Sequence, residues 1–192
     1  MQNPREMHWR YVKRLLKYIQ TTPEYCLVYR KTTNLNLVGY TDSDYAGDVE
    51  ERKSTSGFIF KIGECIISWN SNRQKIVSLS STEAEYIALV TSVKEALWLK
   101  QLLNEMNYEQ SQVKIHCDNK STICLANNPE FHARTKHIDI RFHFIRQKVE
   151  EKIINVIYIS TEEMIADLFT KGLSKHRHFK ILKMMNLEQI TN

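Results

Sequence analysis

Apolar residues recur along this chain at two spacings, and the spacing changes near residue 80. Before it, short apolar runs bounded by turn-forming residues predict strands over residues 25–29, 35–42, 57–62, 65–69 and 76–79. After it, apolar positions three and four apart predict a long helix over residues 81–106. The remainder predicts strands over 113–117 and 153–159 and helices over 119–127, 138–150, 162–171 and 175–185. Consecutive strands followed by alternating strands and helices indicate an α/β fold with a mixed sheet.

Two helix starts are predicted at the level of single residues. Asn3-Pro4 predicts the start of an N-terminal amphipathic helix with one basic flank, which ends before Pro23. Ser80 and Glu83 are spaced as in a capping box, in which the serine side chain accepts from an amide of the first turn and the glutamate reaches back.

Composition narrows the class of protein. The 192 residues are 42% hydrophobic and 26% charged, which is typical of one globular domain. No apolar run approaches the roughly 20 residues that cross a bilayer, and the first ten residues do not form a secretory signal, so no membrane association is expected. The four cysteines show no C-x-x-C pairing, which predicts reduced, buried thiols in an intracellular protein.

The net charge of +5 lies entirely in the N-terminal part. Residues 1–31 hold seven of the 27 basic residues and two of the 22 acidic ones, so the remaining 20 basic and 20 acidic residues balance. Any nucleic-acid binding by residues 32–192 must therefore come from the local arrangement of charges.

Four carboxylates lie at positions where the predicted secondary structure does not require an acidic residue. Asp42 and Asp118 end predicted strands, where ligands gather in open α/β sheets. Glu85 opens the apolar face of the long helix, where an unpaired carboxylate costs several kcal/mol. Asp167 lies among apolar residues of the predicted helix 162–171.

Each of these carboxylates also has a purely structural interpretation. Glu85 can point into water from the helix start, Asp118 can cap the following helix, Asp42 can begin a turn, and Asp167 can lie on the exposed side of a short helix. If the four do meet, their like charges raise one another's pKa, and they need cations to stay ionised together. Magnesium is the natural partner, since it prefers oxygen ligands.

Seven motifs follow one another along the chain: YTDSDYAGD (40–48), RKSTSGFIF (52–60), SWNS (68–71), LSSTEAEYIAL (79–89), CDNKS (117–121), NPEFHARTKHIDI (128–140) and ADLFTK (166–171). In this order they resemble the ribonuclease H domain of copia-type LTR retrotransposon Pol polyproteins, and the resemblance covers roughly residues 4–185.

The resemblance implies a ribonuclease H-like fold, with a five-stranded mixed sheet flanked by helices on both faces and preceded by an N-terminal helix and strand. It assigns residues 34–185 to this domain, residues 1–33 to the tail of the preceding reverse transcriptase and its connection, and residues 186–192 to a C-terminal tail. The implied location is the cytoplasm or a virus-like particle.

Carried over position by position, the resemblance implies catalytic and metal-binding roles for Asp42, Glu85, Asp118 and Asp167. It implies two Mg²⁺ ions, which Mn²⁺ can replace, and an RNA–DNA hybrid as substrate. The reverse transcriptase portion of the same polyprotein is the implied partner. Only Ser160 and Thr161 separate the predicted strand 153–159 from the next helix, so the histidine-bearing loop of cellular ribonucleases H has no counterpart there.

Polar residues near the carboxylates are the candidates for substrate contacts. The loop residues Ser43, Asn119 and Ser121 are candidates for the RNA 2′-hydroxyl. Phosphate contacts are predicted for Ser54, Thr55, Asn70, Ser71 and Arg73, and for the densest basic stretch of the chain, which contains Arg134, Lys136 and His137. The histidines of that stretch lack the spacing of a zinc site.

Three functional hypotheses remain open. The leading one is a metal-dependent endoribonuclease that cuts the RNA strand of RNA–DNA hybrids. The second is a non-catalytic, retrotransposon-derived module that binds nucleic acid or a protein partner. The third is an integrase-like enzyme that cuts DNA, which the motifs disfavour.

Overall fold

The structure, a computed structural model, describes residues 3–128 and 136–190, and for residues 136–140 it describes the backbone alone. Its strands are β1 (Tyr25–Leu27), β2 (Leu37–Ser43), β3 (Thr55–Ile62), β4 (Cys65–Arg73), β5 (Val113–Cys117), β6 (Ile154–Tyr158) and β7 (Leu187–Gln189). Its helices are α1 (Glu6–Thr21), α2 (Ser81–Glu105), α3 (Lys120–Asn127), α4 (Lys136–Glu150) and α5 (Lys175–Met184). Two short 3₁₀ helices, Thr161–Glu163 and Ile165–Phe169, precede α5.

Five strands form one mixed sheet in the order β4-β3-β2-β5-β6. The β2–β3 and β3–β4 pairs are antiparallel hairpin-like neighbours, whereas β2–β5 and β5–β6 are parallel. The β2–β5 register pairs Tyr40 with His116. Continued by two residues, it brings Asp42 level with Asp118, so two predicted site residues share one edge of the sheet.

Helices cover both faces of this sheet, as predicted. On one face α2 and α4 bury a large core that includes Phe60, Tyr86, Leu89 and Ile145, each with no exposed surface. On the other face the second 3₁₀ helix and α5 pack on a smaller core around Ile59. None of the helices in the described part of the chain combines the length and apolar character of a bilayer span.

The two ends of the chain form a second, smaller sheet. Strand β1 pairs antiparallel with β7, and none of the residues of α1 is buried. The hydroxyl of Tyr18 on α1 lies 3.3 Å from Nε2 of His178 on α5. The predicted boundaries after residues 33 and 185 stay a prediction.

Several predicted elements differ in the structure. Helix α1 begins after Arg5 rather than Asn3. Residues 76–79 are not a strand: the chain bends at residues 75–76 and 79–80, and the Ser78 hydroxyl donates to the buried carboxamide of Gln74 at 2.8 Å. Residues 164–167 are all buried, which the single apolar face of an α-helix cannot provide, and 3₁₀ helices replace the α-helix predicted over residues 162–171.

The capping box and the cysteines are partly as predicted. The Ser80 side chain accepts from the Glu83 amide at 3.1 Å, but the Glu83 carboxylate accepts from the Leu79 amide, one residue earlier than Ser80.

All four cysteines are unpaired, as predicted, although Cys26 and Cys124 are exposed rather than buried.

The core beneath α2 generates a stability prediction. Leu89→Ala removes a fully buried side chain and should lower the free energy of unfolding by about 2–5 kcal/mol, because the cavity cannot fully collapse. Leu102→Ala, on the same helix with 37% of its surface exposed, is the matched control and should cost clearly less. Urea titration followed by circular dichroism measures both; equal losses would contradict this account of the core.

Candidate active site

Three aspartates meet at the edge of the sheet where β2 and β5 end. Asp42 lies in β2, Asp118 follows β5, and Asp167 lies in the second 3₁₀ helix. One carboxylate oxygen from each lies within 4.8 Å of the other two. Asp42 and Asp167 are buried, with 0% and 2% of their surface exposed. The interpretation of Asp167 as an exposed helix residue is therefore wrong.

Glu85 is directed inward from the second turn of α2. Its side chain is buried, and its Oε2 atom has no hydrogen-bond partner in the part of the chain that the structure describes. Burial raises the pKa of Glu85 well above its usual range, and the charges of Asp42 and Asp118 raise it further. Glu85 thus lies outside the group of three aspartates, but their charges still act on it. The alternative in which Glu85 points into water is wrong.

Two cations that sequence reasoning missed compensate part of the negative charge of this cluster. The Lys171 ammonium donates to Asp42 at 2.9 Å and to Asp167 at 2.8 Å. Nη2 of Arg177 donates to the other oxygen of Asp167 at 2.6 Å. Although burial lowers the pKa of Lys171, the carboxylates of Asp42 and Asp167 raise it overall. The position of Lys171, four residues after Asp167, could have predicted its ion pair with Asp167. The sequence gives no indication that Arg177 pairs with Asp167.

Hydroxyl groups orient two of the carboxylates. Thr170 donates to Asp42, and Thr161 donates to Asp118 at 2.8 Å. Burial raises the pKa of Asp42, while Lys171 and Thr170 act against that shift. The short segment between β6 and α5 thus supplies both a carboxylate and groups that hold its neighbours.

The approach of this segment to the sheet depends on a glycine. Gly57 pairs with Asp42 across β3 and β2. A Cβ atom at Gly57 would lie 2.7 Å from the Thr170 side chain and 2.9 Å from Cβ of Phe169. Any larger residue there would push the segment that carries Asp167 away from Asp42.

Neighbouring polar residues explain which carboxylates are structural. Asn119, rather than Asp118, caps α3 by accepting from the Thr122 amide at 2.9 Å, so Asp118 is not a helix cap. Asp48 accepts from two amides of the loop after β2 and pairs with Arg73 at 2.5 Å. Asp48 therefore stabilises the loop and is not part of the cluster.

Two of the predicted substrate contacts are buried. Ser43 and Ser54 are only 6% and 1% exposed. The Ser43 hydroxyl donates to the Thr55 carbonyl at 3.0 Å and accepts from Gln74, and the Ser54 hydroxyl accepts from the Ala46 amide at 2.9 Å. These hydroxyls support the loop after β2, which corrects the prediction that they face the substrate.

Four further candidates lie on strands β3 and β4 rather than in loops. Thr55 begins β3, and Asn70, Ser71 and Arg73 lie on β4. The exposed Ser71 hydroxyl donates to the Phe169 carbonyl at 2.6 Å, so it helps to hold the 3₁₀ segment.

The remaining candidates divide into two groups. Asn119 directly follows Asp118, and the exposed Ser121 lies three residues after Asp118, in the first turn of α3. Arg134 lies outside the described residues, and the structure describes Lys136 and His137 only as backbone positions at the start of α4. Their substrate contacts stay predictions.

The donor set fits a divalent metal ion. Three converging carboxylate oxygens and the unpartnered Glu85 oxygen are hard ligands, and an ammonium group already lies between two of the carboxylates. The cluster is therefore compatible with metal binding.

Glu85 generates a prediction about pH. Because its folded-state pKa is raised, the folded chain binds more protons than the unfolded one, and without metal its stability should fall as pH rises above about 4.5, the ordinary value. A rise of one in the pKa of Glu85 corresponds to a loss of about 1.4 kcal/mol in the free energy of unfolding at high pH. Glu85→Gln should flatten this pH dependence and stabilise the chain at neutral pH in EDTA. Urea unfolding across pH tests it, with Glu105→Gln as the control; an unchanged slope in Glu85→Gln would refute it.

Gly57 generates a second prediction. Gly57→Ala should lower the free energy of unfolding by about 1–3 kcal/mol through overpacking against Thr170 and Phe169. Gly172→Ala is the matched control, since a Cβ atom there meets nothing within 4 Å, and it should be neutral or up to about 1 kcal/mol more stable. Thermal and urea unfolding measure both; a neutral Gly57→Ala would show that the close approach is not required.

Comparison with known proteins finds relatives that match almost the whole of this chain, while no family model matches it. It is 43% identical over 183 residues to the retrovirus-related Pol polyprotein from transposon TNT 1-94 of Nicotiana tabacum, which covers 95% of this chain and 14% of the relative. It is 40% identical over 176 residues to the corresponding polyprotein from transposon RE2 of Arabidopsis thaliana, which covers 91% of this chain and 12% of the relative. The chain thus spans about one-seventh of the length of these relatives.

Solved structures share the fold. LC11-RNase H1, isolated from compost and solved in complex with an RNA/DNA hybrid, aligns with a TM-score of 0.54 at 15% identity, over 70% of this chain and 93% of that one. This likeness shows a ribonuclease H-like fold, as the motifs predicted. Over nearly its whole length the chain is therefore similar to one segment of the retrovirus-related Pol polyproteins of plant transposons, and it has a ribonuclease H-like fold.

Proposed function

We propose that this domain is an endoribonuclease that cleaves the RNA strand of RNA–DNA hybrids by metal-dependent phosphodiester hydrolysis. The observation that carries the proposal is the convergence of Asp42, Asp118 and Asp167, beside the buried carboxylate of Glu85, whose Oε2 atom has no hydrogen-bond partner among the described residues. Burying several carboxylates together is costly unless cations compensate for their charge. Such a costly cluster in a fold indicates that the carboxylates have a functional role.

These four carboxylates would hold two Mg²⁺ ions. Bound magnesium activates a water molecule and stabilises the negative charge that develops on the leaving oxygen. In the reaction the water oxygen bonds to phosphorus and the bond to the 3′ oxygen breaks, which leaves a 3′-hydroxyl and a 5′-phosphate.

The chain's own residues keep the carboxylates in place for this reaction. Thr161 orients Asp118, and Arg177 occupies one oxygen of Asp167. Lys171 bridges Asp42 and Asp167, so its ammonium holds these two carboxylates together before metal binds. Asn119 and Ser121, the first and third residues after Asp118, are the residues we propose for contacts with the substrate backbone.

The hybrid substrate is supported by the fold and by the relatives. LC11-RNase H1, which shares the fold, is solved with an RNA/DNA hybrid. The relatives are Pol polyproteins, of which this chain spans a small part. We therefore propose that the domain acts during reverse transcription, beside the reverse transcriptase portion of the same polyprotein and inside the cell.

A cleavage assay tests the proposal. The chain is incubated with Mg²⁺ and an RNA–DNA hybrid labelled on the RNA strand. Asp118→Asn should lower the rate by about 100-fold or more through loss of one charged ligand, while its amide oxygen can still accept from Thr161. Asp48→Asn removes an aspartate charge outside the cluster and should keep activity within a few-fold.

The other hypotheses give different results in the same assay. Hybrid binding without cleavage in parent and variant alike would support the non-catalytic module. Cleavage of a DNA duplex that Asp118→Asn abolishes would support the integrase-like enzyme. Cleavage that survives both EDTA and Asp118→Asn would refute the proposed site.

A further inference from the structure

A groove lies on the α2 side of the sheet, at the edge strand β4. Helix α2 packs mainly on β2 and β3 and leaves part of β4 uncovered. The groove has a volume of about 380 Å³, and Phe58 of β3 and Val90 of α2 supply apolar surface to its lining. Asn70 and Asn72 of β4 also line it.

The charged residues of this groove are all basic. Lys75, Lys94 and Arg141 line it, and none of them forms an ion pair with a residue that the structure describes. A fourth cation, Arg73, is already neutralised by Asp48 and Glu51. No carboxylate is found among the described residues of the lining. The groove therefore concentrates positive charge in a region of the chain, residues 32–192, that is neutral as a whole.

One of these cations has a buried nitrogen atom without a hydrogen-bond partner among the described residues. Nη1 of Arg141 is shielded from solvent and bonds to nothing in the described part of the chain. A buried guanidinium N–H without an acceptor costs about 1–3 kcal/mol or more. An anionic oxygen that entered the groove would remove this cost, and a guanidinium group suits phosphate oxygens especially well.

The groove is connected to the carboxylate cluster through a single side chain. Gln74 lines the groove and is 5% exposed. Its amide nitrogen donates to the Ser56 hydroxyl and to the Ala84 carbonyl, each at 2.9 Å, and to the Ser43 hydroxyl at 3.2 Å. Ser43 follows Asp42 and Ala84 precedes Glu85, so groove and cluster lie on two sides of one hydrogen-bonded support.

We propose that this groove binds a backbone phosphate of the nucleic-acid duplex, through Lys75, Lys94 and Arg141, at a distance from the bond that is cut. This rests on the proposed function, since it assigns the groove to the same substrate. Such a contact positions the duplex without reading its sequence.

Equilibrium binding tests the groove separately from catalysis. Asp118→Asn serves as the parent, so that cleavage is slow compared with binding, and fluorescence anisotropy follows a labelled RNA–DNA hybrid at several salt concentrations. Adding Lys75→Gln and Lys94→Gln should raise Kd by about tenfold or more and reduce the slope of log K against log salt by about 1–2, because phosphate contacts release counterions. Arg141→Gln should act in the same direction.

Lys114→Gln is the matched control. It removes another exposed lysine, from β5, whose side chain points to the opposite face of the sheet, and should leave Kd within about twofold. An unchanged Kd and salt slope in the double variant would overturn the proposal. Calorimetry with inorganic phosphate separates a small anion from a backbone: if the double variant loses phosphate binding but keeps its affinity for the hybrid, the proposal is also overturned.

The two proposals fail in distinguishable ways. If the unmodified chain cuts the hybrid while the groove variants bind it normally, only the groove assignment fails. If the unmodified chain neither binds nor cuts the hybrid, the proposed function fails and the groove assignment fails with it.

Discussion

The mutual repulsion of buried carboxylates is the constraint on which this structure depends. Asp42, Glu85 and Asp167 are all nearly inaccessible to water, and Asp118 lies beside them. In a low-dielectric interior, like charges so close destabilise the fold unless cations compensate. Lys171 and Arg177 supply that compensation for Asp42 and Asp167, while Glu85 forms no ion pair with a described residue and the charge of Lys171 offsets only part of the rise in its pKa. The fold therefore carries an electrostatic cost at one edge of its sheet.

The sheet brings the carboxylates together by simple geometry. Parallel pairing of β2 with β5 sets Asp42 and Asp118 side by side at the carboxyl ends of their strands. The 3₁₀ segment reaches them from the opposite face because Gly57 leaves room for it. Gln74 connects the loop after Asp42 with the helix turn before Glu85. The four carboxylates thus lie on different strands, helices or loops of the chain. Separate contacts hold these segments near one another.

The distribution of charge also follows from this arrangement. Apart from the first 31 residues the chain is neutral, yet it separates an acidic cluster from a basic groove on two sides of Gln74. An acidic site suits metal ions, and a basic groove suits the phosphates that such ions do not neutralise. Net charge would not have revealed either feature.

The sequence by itself determined most of the elements of the mixed sheet and its long helix, because strand ends, capping residues and apolar periodicity are local signals, and the ordered motifs then singled out the four carboxylates. It also placed Glu85 correctly, since a carboxylate that opens an apolar helix face is conspicuous in the sequence alone. Only the tertiary structure decided that Ser43 and Ser54 are buried, that the segment 162–171 forms 3₁₀ helices, and that Arg177 reaches Asp167 from α5. These features depend on which surfaces meet across the sheet, and contacts between residues distant in the chain leave no periodic signal in the sequence.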